Sequence, residues 1–458
     1  MRTVQPARRV AFDVLRAVTE SDAYANLMLP SAITEANLSV QDAALATELT
    51  YGTLRRRGTY DAIIAAAADR PVAEIDPAVL DALRLASHQL LATRVATHAA
   101  VNESVNLVAS TQSRGAANFA NAVLRRIAGA TAEEWQTRID AAARSDDERL
   151  ALRTAHPVWV IRALRRALAA EGRAEELEAL LDADNASPEV TLVALPGLAE
   201  QGEPRRPYAP TAFGSPGGDP LRIVAGSGGR VRVQDEGSQL VALALAGAAP
   251  IAEGERWLDL CAGPGGKTAL LAAIAHQRGV ILEANEVVPA RAGLVRNALR
   301  PVPGEVVVHE DDGRELARRR SGEFDRILVD APCTGLGALR RRPEARWRKS
   351  PADVAELVPL QTELLSAAVD ALAPGGIVAY VTCSPHLAET VGVVQDVLRG
   401  RDDLVELDTR SALAGVAVSP IDLAGDDASH VQLWPHRHGT DAMFLALLQR
   451  TASDQKEK

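Results

Sequence analysis

Cysteine, lysine and aromatic side chains are scarce in this chain of 458 residues, and each scarcity excludes something. Three cysteines cannot build a disulfide framework, so a reducing, cytoplasmic setting is expected. Of 50 basic residues only Lys267, Lys349, Lys456 and Lys458 are lysine, so a single arginine says little and only clusters count. Trp, Tyr and Phe number five each, which leaves little for extensive base stacking. The longest apolar run, Leu240–Ala252, contains Gly247 and Pro250 and is too short to span a bilayer. No apolar segment follows the arginines of Met1–Val10, so neither a membrane anchor nor a secretory signal is expected. A net charge of −10 argues against indiscriminate nucleic-acid binding. At about 150 residues per domain, the length predicts two to four domains.

What is present falls into blocks. Residues 1–130 read as all-helical: Val101, Val105 and Val108 recur at helical spacing, as do Phe119, Val123 and Ile127, with Leu80, Leu83, Leu90 and Leu91 as another stripe. Pro30, Gly58, Pro71 and Pro77 punctuate these stretches. Residues 131–230 are expected to form a helical linker followed, from 186, by a small β-containing module rich in proline and glycine. Residues 231–450 alternate strand and helix, with strands at Arg256–Cys261, Gly279–Asn285, Glu305–His309, Phe324–Asp330 and Ile377–Thr382. That order predicts a mostly parallel α/β sheet, which binds ligands at the carboxyl ends of its strands. Residues 451–458 form a C-terminal tail.

The turn Cys261-Ala262-Gly263-Pro264-Gly265-Gly266-Lys267-Thr268 joins the first of these strands to its helix. Glycines permit close approach of a ligand to the backbone, and free amides at a helix start favour anionic groups. A phosphate-binding P-loop would need glycine at Cys261, and a dinucleotide fingerprint would need glycine at Thr268. S-adenosylmethionine fits a shorter turn of this kind, with an acidic residue about 20 positions on for the ribose hydroxyls. Glu286 stands there. A tight turn without a ligand is the bland alternative.

Cys333 in Asp330-Ala331-Pro332-Cys333 and Cys383 in Thr382-Cys383-Ser384 both lie just past strand ends, on the ligand side of the sheet. If those strands are neighbours, both thiols face one pocket. A thiolate adding at carbon-6 of cytosine turns carbon-5 into a nucleophile able to accept a methyl group, and a second base must then release the product. Burial as small hydrophobes is the competing account of lone cysteines, and the preferred one for Cys261. With no C-x-x-C pair, no metal site is expected. Arg340-Arg341-Arg342-Pro343-Glu344-Ala345-Arg346-Trp347-Arg348-Lys349 is a dense basic cluster with a stacking face, suited to an RNA backbone unless it is a solvated loop. Arg8-Arg9 is a second basic pair, with a solvated helix face as its alternative.

These segments, together with Gln234-Asp235-Glu236-Gly237-Ser238-Gln239 and Pro435–Phe444, resemble the RsmB/Sun family of RNA cytosine-5 methyltransferases. Tyr51–Arg57 and Asn121–Arg126 resemble the NusB-type helical RNA-binding domain of its 16S rRNA branch. The resemblance implies a Rossmann-like S-adenosylmethionine-dependent methyltransferase domain preceded by an all-α NusB-like domain. It assigns Cys383 as nucleophile, Cys333 to product release and Asp330 to orienting the base. Cys261, Ala262, Gly263, Pro264, Gly265, Gly266, Lys267, Glu286, Asp312 and Asp330 would contact the cofactor. RNA, with 16S rRNA foremost, is the implied partner, with Arg340, Arg341, Arg342, Arg346, Trp347, Arg348, Lys349, Arg8 and Arg9 as candidate contacts; a monomer is favoured. The same chemistry on tRNA, or an RNA-binding factor with an inactive catalytic domain, are the alternatives. Three positions depart from the family pattern: Glu286 stands for a usual Asp, Gly263 for a frequent Ala, and Ala442 for a usual Gly.

Overall fold

The computed structural model describes residues 4–21, 23–423 and 429–451. The expected tail therefore lies outside the described residues beyond Thr451. Two compact units result. One comprises Met1–Arg162, Leu181–Ala186 and Leu339–Lys349; the other comprises Ala163–Leu180, Ser187–Ala338 and Ser350–Lys458.

The first unit is helical. Its helices include Pro6–Glu20, Val40–Arg55, Pro77–Ala92, Thr97–Thr111 and Arg114–Ala128. The starts are set locally: Ser39 Oγ accepts the Asp42 amide, Ser113 Oγ the Ala116 amide, and Asp76 caps a helix that opens on Pro77. The predicted apolar stripes face inward, with Leu80, Leu83, Val101, Val108, Val123 and Ile127 buried in one core. One expected break is corrected. Pro30 lies inside the helix Ala25–Glu35, on an exposed face where the carbonyl that loses its partner can meet water. Gly58 sits in the first turn of Arg57–Ala68, where a Cβ would come within 2.3 Å of the Trp347 ring. The chain does break beside it, between Arg55 and Arg57, and the glycine also makes room for that ring.

In the second unit, the proline-rich stretch folds as an antiparallel sheet of β1 (Thr191–Ala194), β2 (Ala212–Gly214) and β3 (Val231–Val233), ordered β2-β1-β3. The large sheet contains β4 (Arg256–Asp259), β5 (Ile281–Asn285), β6 (Val307–His309), β7 (Phe324–Asp330), β8 (Leu372–Thr382), β9 (Leu404–Glu406), β10 (His430–Gln432) and β11 (Phe444–Arg450). Its order is β10-β11-β8-β7-β4-β5-β6, with β9 pairing β11. The strands β4 to β8 are parallel, as expected. The antiparallel edge of β9 to β11 makes the sheet mixed, and the reading from sequence had no strands there. Apolar clusters cover both faces. From β4 the chain winds out through β5 and β6, then returns to place β7 on the other side of β4. Such a reversal opens a crevice at the carboxyl ends of the central strands.

Candidate functional site

The glycine turn starts at the end of β4. Ala262 N donates to Asn285 O at 2.8 Å, and Gly263 N donates to Glu286 Oε2 at 3.1 Å, which ties the turn to the end of β5. Gly265 has φ +102°, and a Cβ there would lie 2.7 Å from Ala298 Cβ. The helix Gly266–Arg278 begins with no side-chain cap, so its first amides point into the turn. This arrangement fits S-adenosylmethionine: a cradle stripped of side chains, and a buried carboxylate, Glu286, beside it.

Two departures from the family pattern meet here. A Cβ on Gly263 would fall 2.1 Å from Glu286 Oε2, so the longer acid and the missing methyl occupy one space. Gly263→Ala is therefore expected to weaken S-adenosylmethionine binding by about tenfold or more, roughly 1.4 kcal/mol. Adding Glu286→Asp, one methylene shorter, should restore most of it. Calorimetric titration checks both, and a Gly263→Ala protein that binds normally would show that the two positions do not compete.

Asp312 is committed locally. It caps the helix Gly313–Arg319 and accepts from the Arg314 amide and Nε, both at 2.9 Å. The Arg314 hydrogen bonds hold its pKa down to about 2. Asp259, at the end of β4, is buried and accepts from Thr268 Oγ1 at 2.7 Å. Burial, helped by the Asp330 charge, outweighs that bond and pushes its pKa up to about 7. Cys261 is raised by burial and by the Asp259, Asp330 and Glu286 charges, which fits an inert thiol.

The condition left open by the sequence, adjacency of the two cysteine-bearing strands, is met. In the parallel pair β7·β8, Asp330 stands opposite Val381, and Ala331 N donates to Val381 O at 2.9 Å. Both chains then leave the sheet at one edge, and the Cys333 and Cys383 sulfurs lie 3.5 Å apart. Gly337 N donates to Cys383 O at 2.8 Å, an approach that a Cβ 2.2 Å from Ala442 O would forbid. Lys267 reaches from the glycine turn to Asp330 Oδ2 at 2.7 Å. Burial disfavours the Lys267 charge, but Asp330, with smaller help from Cys383 and Asp259, more than offsets this and raises its pKa. Hydrogen bonding to Cys383 and burial raise Cys333 well above an ordinary thiol.

Glu389 was not singled out from sequence. It ends the short turn Leu387–Glu389, is fully buried, and accepts from Thr334 N at 2.8 Å, Ser384 Oγ at 2.6 Å, Gln361 Nε2 at 3.2 Å and Thr334 Oγ1. Its only sequence signal is a carboxylate six residues after Cys383, and nothing local says that it folds back.

The basic cluster is placed otherwise than expected. Residues 339–349 are part of the helical unit. Arg346 is fully buried and donates to Asn185 Oδ1 at 2.8 Å, Ala155 O and Asp184 O at 3.2 Å, and Arg55 O at 3.4 Å. Burial brings its pKa down to about 10. Arg340 is buried as well; Arg348 lies over the Tyr24 ring and donates to Val18 O, and Trp347 packs on Gly58. Lys349 and Arg341 are half-buried, and Arg342 is exposed, over Tyr24. Arg8 is buried against Gln89 Oε1 at 2.7 Å, while exposed Arg9 pairs with Asp13. An RNA phosphate cannot reach Arg346 or Arg8 in this arrangement, because both side chains are buried within the helical unit. Among the described residues, no cluster of three or more His, Cys, Asp or Glu is placed to hold a metal ion. No helix there is long and apolar enough to cross a membrane.

Comparison with known proteins places both regions of the chain in known families. Residues 248–449 match the family model for 16S rRNA methyltransferase RsmB/F, and residues 5–129 match the NusB family. A putative methyltransferase of Mycobacterium tuberculosis is 50% identical over 98% of this chain and 97% of its own length. Ribosomal RNA small subunit methyltransferase B of Pseudomonas syringae is 31% identical over 98% of each chain. The crystal structure of PH0851 shares the fold, with a TM-score of 0.79 at 22% identity over 98% of this chain and 99% of that one.

Proposed function

The chain belongs to the RsmB/F family of S-adenosylmethionine-dependent methyltransferases, and from that premise we propose that it methylates carbon-5 of a cytosine in 16S rRNA through a covalent adduct. The observation that carries this reading is the 3.5 Å separation of the Cys333 and Cys383 sulfurs at the shared edge of β7 and β8, beside the glycine turn. Bound S-adenosylmethionine supplies an electrophilic methyl group. Cys383 Sγ forms a bond to carbon-6 of the base, and the electron pair displaced to carbon-5 would take the methyl as its bond to the cofactor's sulfonium breaks, leaving a neutral thioether. Asp330, charged beside Lys267, holds and polarises the ring. For release, the carbon-5 proton must leave and the carbon-6–sulfur bond must break. Cys333 gives its thiol proton to the departing Cys383 sulfur and takes the carbon-5 proton in its place, so the balance is one proton moved from carbon to Cys383. A raised thiol is a strong base once deprotonated, which suits that exchange.

The test is transfer of labelled methyl from S-adenosylmethionine to unmodified 16S transcript, followed by nucleoside chromatography. Label in 5-methylcytidine is expected. Label in another nucleoside overturns the carbon-5 assignment, and labelling of tRNA in preference to 16S transcript overturns the substrate. The NusB-type region favours rRNA over tRNA.

A further inference from the structure

Glu389 is a carboxylate with all of its described donors neutral: a backbone amide, two hydroxyls and a side-chain amide. Burying a charge on such terms costs several kcal/mol relative to a neutral side chain of the same shape. The donors are not scattered. Thr334 directly follows Cys333, Ser384 directly follows Cys383, and Gln361, from the helix Pro351–Ala371, also holds Pro332 O at 2.8 Å. Glu389's own carbonyl accepts from the Tyr380 hydroxyl of β8 at 2.8 Å. One carboxylate thus bridges both cysteine loops and the helix behind them.

We infer that Glu389 is a positioning residue that fixes the separation of the two thiols and biases the proton between them toward Cys333. This rests on the proposed two-cysteine reaction. A hydroxyl or amide bridge could fasten the loops; only an anion also opposes a thiolate at Cys333. The groups facing Cys333 are Cys383, just past β8, the Glu389 carboxylate and the Tyr380 hydroxyl, while the Lys267 ammonium, paired with Asp330, faces Cys383. Glu389 adds to the rise at Cys333 after the larger effects of Cys383 and burial, and the Lys267 ammonium lies within reach of the Cys383 charge. The two sulfurs therefore have different charged neighbours.

Two variants separate charge from reach. Glu389→Gln keeps the shape and removes the charge, while Glu389→Asp keeps the charge and shortens the arm by one methylene. Alkylation of each cysteine by iodoacetamide, resolved by peptide mass spectrometry across pH, uses the full chain without RNA. In Glu389→Gln the Cys333 profile should move down by about one pH unit while Cys383 changes less. In Glu389→Asp the Cys333 profile should stay, while affinity for phenylarsine oxide, which needs two adjacent thiols, falls about tenfold or more. Methylation by either variant should lose kcat with KM for RNA within about twofold. An unmoved Cys333 profile in Glu389→Gln removes the electrostatic role. Wild-type arsenical affinity and kcat in Glu389→Asp remove the tether. Thiol readouts free of RNA stand even if the wild-type protein methylates a different nucleic acid, so failure of the substrate reading is distinguishable from failure of this one.

Discussion

Cys383→Ala should abolish both methyl transfer and any covalent protein–RNA species, with turnover falling by at least about 10³-fold. Cys333→Ala should do something different: accumulate a complex that survives a denaturing gel, because the adduct forms and cannot leave. The expectation follows from the different surroundings of the two sulfurs, not merely from their proximity. Cys383 lies on the Lys267 side, within electrostatic reach of that ammonium group. Cys333 is raised by its hydrogen bond to Cys383, by burial and by the Glu389 carboxylate, so it keeps its proton until the Cys383 sulfur needs one. Reversed adduct patterns would exchange the two roles and keep the chemistry. Absence of adduct from Cys333→Ala, under conditions where the wild-type protein turns over, would sink the covalent route.

Arg346→Ala should destabilise the helical unit by about 3–5 kcal/mol, read as a shift in its denaturant midpoint. The guanidinium lies at 0% exposure and satisfies three backbone carbonyls and the Asn185 side chain. Truncation leaves those acceptors buried without donors and opens a cavity the size of an arginine. Arg342→Ala, on the exposed rim of the same segment, should change stability by less than about 0.5 kcal/mol. A pure phosphate-binding cluster gives the opposite result: near-normal stability for Arg346→Ala, with weaker RNA binding and a shallower salt dependence. That outcome would return the segment to the RNA interface.

The contrast shows what sequence can and cannot express. In Arg340–Lys349 charge density was legible, but partners were not. Asp184, Asn185 and Ala155 lie more than 150 positions away, and no local pattern announces that their carbonyls and amide converge on Arg346. Glu389 was invisible for the same reason, since its role depends on Thr334, 55 positions earlier, arriving beside Ser384. The strands of the parallel core were legible because each is a short apolar run bounded by glycine or charge, as in Phe324–Asp330, which folds over the predicted range. β9 and β10, three residues each, carry too few positions to show a period.

By itself, the sequence determined the chemistry available: a glycine turn that no side chain can enter, two thiols just past strand ends, and the order of strands and helices that puts such ends on one side. Local propensity and covalent identity suffice for these. Tertiary structure alone decided that β7 and β8 are neighbours, that the two sulfurs meet at 3.5 Å, and that most of the basic segment turns inward. Those outcomes depend on contacts between residues 50 to 291 positions apart, and such contacts form only when the whole chain closes and buried polar groups must find partners.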